Sequence, residues 1–524
     1  MPASFSAPCA SSVEPDEGRW VRRGQALIGG LAVFRLLWLW LMPLDLIADE
    51  AYYWDWGRHP AWCYFSKPPM IAWLNTITQS IGFTTTSLQR VPSVVLGTVG
   101  LTAIWLLARR LWGGRAGFFA VVIAGTAPGS VALNSLLTID APLIAFWSVA
   151  LYALWRALEP ATESNGPAGR TRWWILYAVA GLLGVLSKQM MMVLPLLALG
   201  FVITSPTDRA WLRRPSFYVW LLIPFLALVP IIQWNIHHDW ITAQHTAHHF
   251  KADPWRLSSS LAFVAEYIGS QLGLAGPVAA SIAVVAAFGW REVRADRSRW
   301  FAWMMCAPGL LAIGALSFHQ SINPNWPAVF HLGGLLLATG WLANDWPRRR
   351  KAWRATWITG ATLATLGYGF IALSGPLGLH EHDQLDVTRR LRGWADLGKD
   401  VGVWKARLDA DGGPPVIVIS HGGRNLASEL AFYLPGQPQI WHWTAPGVVS
   451  SQYALWPGPL PARTGMRALL VSSSDTLPAG LTDGFDRIIP LGEVAGKPGS
   501  GAPKRVWLWV GENLHSWAHG KPLE

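Results

Sequence analysis

Apolar runs of about 20 residues recur along this 524-residue chain and constrain its fold more than any other feature. A helix of that length matches the hydrocarbon core of a bilayer. The runs fall near residues 25–44, 91–111, 116–137, 141–158, 173–187, 189–204, 217–234, 261–290, 301–318, 327–343 and 356–374. The spacing predicts a polytopic α-helical membrane protein with about eleven spans. The 261–290 run is too long for one straight span and contains Gly276-Pro277, so a kink or an interfacial start is expected there. Only 14% of residues are charged, against roughly 25% in a soluble domain.

Net charge is +11, but the basic residues sit in short clusters between apolar runs. That distribution argues against nucleic-acid binding and for the positive-inside pattern. Arg22 and Arg23, Arg109 and Arg110, Arg213 and Arg214, and Arg348 to Lys351 fall on one side when eleven helices are threaded. The expected topology is therefore a multi-pass protein of a bacterial inner membrane. Residues 1–24 are a cytoplasmic segment, 25–375 the transmembrane domain with a first periplasmic loop at 45–90, and 376–524 a periplasmic domain. In that last stretch polar helical segments (383–408, 425–433) alternate with β-rich runs (416–420, 468–472, 487–491, 505–510), which predicts a small α/β domain. The N-terminus lacks a small-residue cleavage site, so the first run is expected to be a retained helix. Cys9, Cys63 and Cys306 lie too far apart for a visible disulfide framework or zinc spacing.

The stretch after the first run, DEAYYWDWGRHPAWCYFSKPPMIAW, holds Asp49, Glu50, Asp55, Arg58 and Lys67 among tryptophans and tyrosines. A lipid-exposed helix does not tolerate that many ionisable groups, each costing roughly 2.5–3.5 kcal/mol at its centre. Amphipathic rings favour the membrane–water boundary. A loop lying on the bilayer surface is expected, its carboxylates and a cation facing a common pocket. Threading puts further polar residues on the same side: Asp140 at the third-to-fourth turn, Lys188, the loop holding Asn235, His237, His238, His245 and His249, then Glu266, Asn325 and Trp326. Acids and bases converging at one interface suit a reaction on a lipid-borne substrate better than a conduction path, which needs ionisable groups at the midplane.

DEAYYWDW, KPPMIAW, TIDAP, GLLGVLSK, PIIQWNIHHDW and PNWPAVF, in that order, resemble the GT-C membrane glycosyltransferases. The similar subgroup is the protein O-mannosyltransferase-like one, which includes the lipid A aminoarabinose transferase. The resemblance implies a GT-C bundle, a polyprenyl-phosphate sugar donor such as an undecaprenyl-phosphate sugar, and a periplasmic acceptor (lipid A, lipopolysaccharide core, another envelope glycan or lipid, or protein). It implies inversion at the anomeric carbon. By position Asp49 is the catalytic carboxylate, Asp140 the second acid with Glu50 as a further candidate, and Lys67 the lysine on the donor phosphate. Ser66 stands where the aminoarabinose transferase has a glutamate implicated in a metal site.

These residue types fit the chemistry. A sugar phosphate already carries a leaving group, so the demands are a carboxylate beside an oxocarbenium-like centre and a base for the acceptor hydroxyl. The departing phosphate needs a fixed cation: Lys67, with Arg58 or Lys188. Tyr52, Tyr53, Trp54, Asn235, His237, Glu266, Asn325 and Trp326 are candidates for lining the substrate pocket. Plainer roles fit the same residues: a helix-end acid for Asp49, an N-cap for Asp140, a snorkelling lysine at 67, headgroup contacts for Arg58 and Lys188. His245 and His249 are one helical turn apart and are weak metal candidates beside a solvated-loop reading. No cofactor is required and a divalent metal is left open. A lipid-linked sugar flippase and a non-catalytic envelope-assembly subunit are the alternatives.

Overall fold

In a computed structural model, residues 16–42, 44–160, 167–248, 250, 256–344, 346–373, 388–495 and 504–517 are described. The first helices are α1 (Glu17–Leu41), α2 (Ala48–Gly57), α3 (Met70–Ser80), α4 (Thr86–Gln89) and α5 (Val91–Thr126). They are followed by α6 (Pro128–Ser135), α7 (Asp140–Leu158), α8 (Pro167–Ser187), α9 (Val193–Thr204), α10 (Pro215–Leu222), α11 (Leu228–Ile236) and α12 (Ile241–His248). The bundle closes with α13 (Leu257–Ala275), α14 (Pro277–Phe288), α15 (Trp290–Ala295), α16 (Arg297–Met304), α17 (Ala307–Leu316), α18 (His331–Asn344) and α19 (Trp346–Leu373).

Among the described residues six helical stretches are long and apolar enough to cross a membrane: Glu17–Leu41, Thr86–Thr126, Asp140–Leu158, Pro215–Ile236, Arg297–Leu316 and Trp346–Leu373. Gln189–Thr204 and Ala328–Asn344 are shorter apolar helices. The expected count of eleven is not reproduced by this measure. The expected 91–111 run and the first half of the 116–137 run share α5, which breaks at Trp112 and Gly113, and the second run continues into α6; Gly113 takes φ 87°, a conformation open to glycine. The expected kink is present, with Gly276 at φ 55° between α13 and α14. Outward apolar residues such as Val33, Leu37, Trp40 and Leu226 are exposed, as a lipid-facing surface requires.

The C-terminal part opens with α20 (Trp394–Ala410), β1 (Val416–His421), α21 (Arg424–Tyr433), β2 (Ile440–His442) and β3 (Arg467–Ser472). It ends with α22 (Ala479–Thr482), β4 (Phe485–Ala495) and β5 (Arg505–Leu514). Its five-stranded sheet runs β2-β1-β3-β5-β4, with β1 parallel to β2 and β3, and β5 antiparallel to β3 and β4. The four expected β runs are all strands; the three-residue β2 was too short to read from periodicity. Alternation sends Val416, Val418, Leu469 and Val471 to one face and Ile417, Ile419, Ala468 and Leu470 to the other.

The first of those faces shares a core with Tyr52, Trp54, Trp56, Tyr64 and Ile71. The segment expected as a surface loop is thus helix α2, buried between the bundle and the sheet. Its apolar rings satisfy both sides, which explains their density. Polar clamps fix it: Gln452 Oε1 accepts from Phe65 N at 2.7 Å, Tyr453 Oη donates to Asp55 Oδ2 at 2.7 Å, and Asp45 Oδ2 accepts from Trp394 N at 2.8 Å.

Glu429 on α21 is 1% exposed, and neither carboxylate oxygen has a hydrogen-bond partner. Burial, then Asp45 and Glu50 nearby, push its pKa well above the usual glutamate range. A raised folded-state value means that its contribution to stability is present below the unfolded pKa and is lost as pH rises through the folded one. Glu429→Leu is expected to stabilise the protein by about 1–3 kcal/mol at neutral pH and to flatten that decline. Thermal unfolding in detergent across pH checks both; a destabilised variant with an unchanged pH slope would refute it.

Candidate active site

Asp49 lies in the first turn of α2, half-exposed, and its Oδ1 accepts from Arg424 Nη2 at 2.8 Å. Arg424 opens α21 directly after Gly422 and Gly423, at φ 113° and 110°. This is the carboxyl end of β1, where the chain leaves for β2 on one side and later returns as β3 on the other. Such switch points expose backbone and side chains to ligands. The Arg424 guanidinium also lies 4.7 Å from the centre of the Tyr52 ring. Tyr52 Oη accepts from Gln452 N at 2.5 Å, and burial pushes the phenol up to about 12.

Asp140 starts α7 and is buried, with no side-chain capping bond. Its Oδ1 accepts from Lys188 Nζ at 2.8 Å and its Oδ2 from Asn325 Nδ2 at 2.6 Å. Three separate turns of the bundle therefore meet at this carboxylate. Tyr53, buried, lies in the fields of both Asp49 and Asp140.

Lys67 joins the two halves. Burial pushes its pKa down, as do Lys188 and Arg424, while Asp49 and Asp140 push it up. The two acids and the two other cations thus all act on Lys67 through space. Lys67 Nζ makes no ion pair with any described residue, whereas Lys188 and Arg424 each hold a carboxylate. Three cations against two carboxylates leave one positive charge uncompensated, which suits one phosphodiester anion. A cavity of about 340 Å³ opens beside the cluster, lined by Thr138, Asp140 and Asn325 among mostly apolar residues.

Other expected site residues are placed elsewhere. Glu50 turns away from Asp49 into a buried pair: Arg90 donates Nε to Oε1 at 3.0 Å and Nη2 to Oε2 at 2.7 Å. Its oxygens also accept from Leu137 N at 2.8 Å and Ile47 N at 3.1 Å. Its lone pairs are spent on structure, which corrects the catalytic reading. Arg58 likewise does not face the cluster; it bonds Asp55 Oδ1 at 3.4 Å and Pro438 O at 3.1 Å and covers the Trp54 ring. Trp54 packs edge-on against Phe432.

Asn235 is buried under Cys63 and Thr242, His237 is an exposed helix end, and Glu266 accepts from Ser321 on an exposed face. Trp326 lies near Phe250. His245 lies on α12 beside Phe65, and His249 lies outside the described residues. Among the described residues no group of three His, Cys, Asp or Glu side chains is placed to hold a metal ion. Arg424 was missed. Its signal is Gly-Gly-Arg directly after a β-rich run, but 375 residues separate it from Asp49.

Residues 66–234 match the dolichyl-phosphate-mannose-protein mannosyltransferase family. The chain is 24% identical over 426 residues to the lipid A galacturonosyltransferase RgtD of Rhizobium johnstonii, spanning 79% of this chain and 83% of that one. It is 29% identical over 197 residues to the undecaprenyl phosphate-alpha-4-amino-4-deoxy-L-arabinose arabinosyl transferase of Pseudomonas aeruginosa, or 37% of this chain and 32% of that protein. The fold is similar to that of ArnT from Cupriavidus metallidurans bound to undecaprenyl phosphate, with TM-score 0.61, 17% identity, and 93% and 97% of the two chains covered. Together with the order of the motifs, these likenesses make the chain similar to the GT-C membrane glycosyltransferases, in sequence over residues 66–234 and in fold over nearly its whole length.

Proposed function

We propose that the protein is an inverting glycosyltransferase that moves a sugar from a polyprenyl-phosphate donor to a hydroxyl of an envelope acceptor at the periplasmic face of the inner membrane. The observation that carries this is Lys67, a part-buried cation with no ion pair among the described residues, in the fields of two acids that are paired with Arg424 and Lys188. The similar proteins act on lipid A or use an undecaprenyl-phosphate donor, as their names state. Arginine clusters between the apolar runs support a cytoplasmic N-terminus.

In the reaction, the acceptor oxygen attacks the anomeric carbon from the face opposite the phosphate. A new C–O bond forms, the bond from that carbon to the phosphate oxygen breaks, and its electron pair leaves with the lipid phosphate. Asp49 takes the acceptor proton and offsets positive charge at the anomeric carbon. Lys67, with Lys188 beside it, meets the departing oxyanion. Asp140 holds Lys188 and Asn325 in place, and Arg424 fixes the rotamer of Asp49.

Lys67→Met is expected to lower transfer about 10²–10³-fold, the usual loss when one stabiliser of developing negative charge is removed. Burial and Lys188 bring the loss of the Lys67 proton below the ordinary lysine value of 10.5. The alkaline limb of kcat/KM should therefore fall below that pH, and Lys67→Arg should move it upward. An alkaline limb identical in both proteins would remove Lys67 from this role. Proteoliposomes carrying undecaprenyl-phosphate sugars extracted from the native membrane, with native envelope lipids as acceptors, test the reaction class. Free undecaprenyl phosphate and a new glycosidic bond should appear together; lipid crossing the bilayer with no new bond would establish a flippase instead.

A further inference from the structure

Arg35 lies six residues before the end of the apolar helix α1, about 9 Å along its axis at a rise of 1.5 Å per residue. It is 2% exposed and lines the 340 Å³ cavity that also reaches Asp140. Its bonds go to neutral acceptors only: Asn134 Oδ1 at 3.2 Å, Ser130 Oγ at 2.9 Å and Gly125 O at 3.4 Å. Nε has no partner, and no described carboxylate lies within ion-pair distance. The contrast within the chain is sharp. Arg90 meets Glu50, Arg297 meets Asp208, and Lys188 meets Asp140. A guanidinium buried at membrane depth without a counter-ion is costly, and such residues mark ligand sites. Most of the cavity wall is apolar, with Leu101, Ile104, Leu274, Val278 and Leu335, while Thr138, Asp140, Ser148, Asn325 and His331 also line it.

We propose that this cavity is a second anion site, in which an amphiphile is held by a phosphate on Arg35 and by its chain against the apolar wall. The donor phosphate does not fill it. Under the function proposed above, on which this inference rests, that phosphate is bonded to the sugar carbon at Asp49 and therefore sits at the membrane boundary with Lys67. Nη1 keeps one N–H beyond its bond to Asn134 and Nε–H is unspent, so the guanidinium still has charge and donors for an oxyanion. The occupant is therefore the acceptor: a phosphorylated lipid whose hydroxyl reaches the acids while its phosphate sits deeper.

The test uses the full-length protein in detergent and native mass spectrometry, so it needs no turnover and can fail independently of the enzymatic reading. Dioleoyl phosphatidic acid should bind at least tenfold more tightly than dioleoylglycerol. Arg35→Met should abolish that preference and Arg35→Lys should keep part of it. Undecaprenyl phosphate binding should be unchanged in Arg35→Met and weakened in Lys67→Met. Equal retention of phosphatidic acid by wild type and Arg35→Met would overturn the proposal. Weakened undecaprenyl phosphate in Arg35→Met would overturn it too, by giving the site to the donor. Should Arg35→Met not fold, a diazirine-tailed phosphatidic acid on the wild type decides: label on the α5 and α14 peptides supports the site, and label equal to that from the phosphate-free analogue refutes it.

Discussion

Asp49→Asn is expected to lower sugar transfer by about 10²–10⁴-fold, the range for losing a positioned general base, while the protein stays folded. Asparagine keeps the side-chain shape and one oxygen for Arg424, so the contact between α2 and the C-terminal part persists at reduced strength. Asp49 is half-exposed, and loss of an exposed ion pair costs at most about 1 kcal/mol. Thermal unfolding should shift little, and donor KM should change less than kcat, because the base acts on the acceptor proton. Transfer near the wild-type rate would remove Asp49 from the chemistry.

The neighbouring acid should give the opposite phenotype. Glu50→Gln leaves the Arg90 guanidinium buried beside a neutral amide, and breaking such a pair costs about 3–5 kcal/mol. Against a total stability of about 5–15 kcal/mol, that is a large share. The loss spreads, because Glu50 also receives Leu137 N, close to Asp140, and Arg90 donates to Leu44 O and Asp45 O at 3.0 and 2.7 Å. Low yield and early unfolding are expected, with near-normal specific activity in whatever fraction folds. The double change Glu50→Met with Arg90→Met should recover part of the stability, since no lone charge remains buried. A stable, inactive Glu50→Gln protein would contradict this and return Glu50 to the reacting groups.

The contrast between these neighbours shows what the sequence carried and what it could not. Apolar runs and loop charges suffice to expect Asp49, Lys67, Asp140, Lys188 and Asn325 on one side; in the structure Asp140 bonds Lys188 and Asn325, and Lys67 lies in the fields of Asp49, Asp140 and Lys188. Adjacent positions in a helix point about 100° apart, so the same reasoning cannot divide Asp49 from Glu50 until α2 is known to be a helix. Rings along α2 read as interfacial because burial on two sides leaves no period to detect. Arg58 looked like a phosphate cation by sign alone; its place is decided by Pro438 O and the Trp54 ring, far away in sequence or dependent on packing. Arg424 depends on the docking of the sheet against α2, which no local pattern encodes. Arg35 sat inside an apolar run, where its single charge did not disturb the span.

The same docking makes the C-terminal part a structural component of the site. Tyr52, Phe65 and Asp55 each bond to the 452–453 turn, and Arg424 reaches the proposed base. The orientation of Asp49 thus depends on both halves of the chain.

The most direct test is mass spectrometry of envelope lipids, glycans and proteins from a deletion strain carrying either the wild-type chain or Asp49→Asn at equal membrane levels. The account predicts one sugar-sized mass increment that the wild-type chain restores and the variant does not, with the polyprenyl-phosphate sugar accumulating in the variant strain. The same increment at the same intensity in both strains would contradict it.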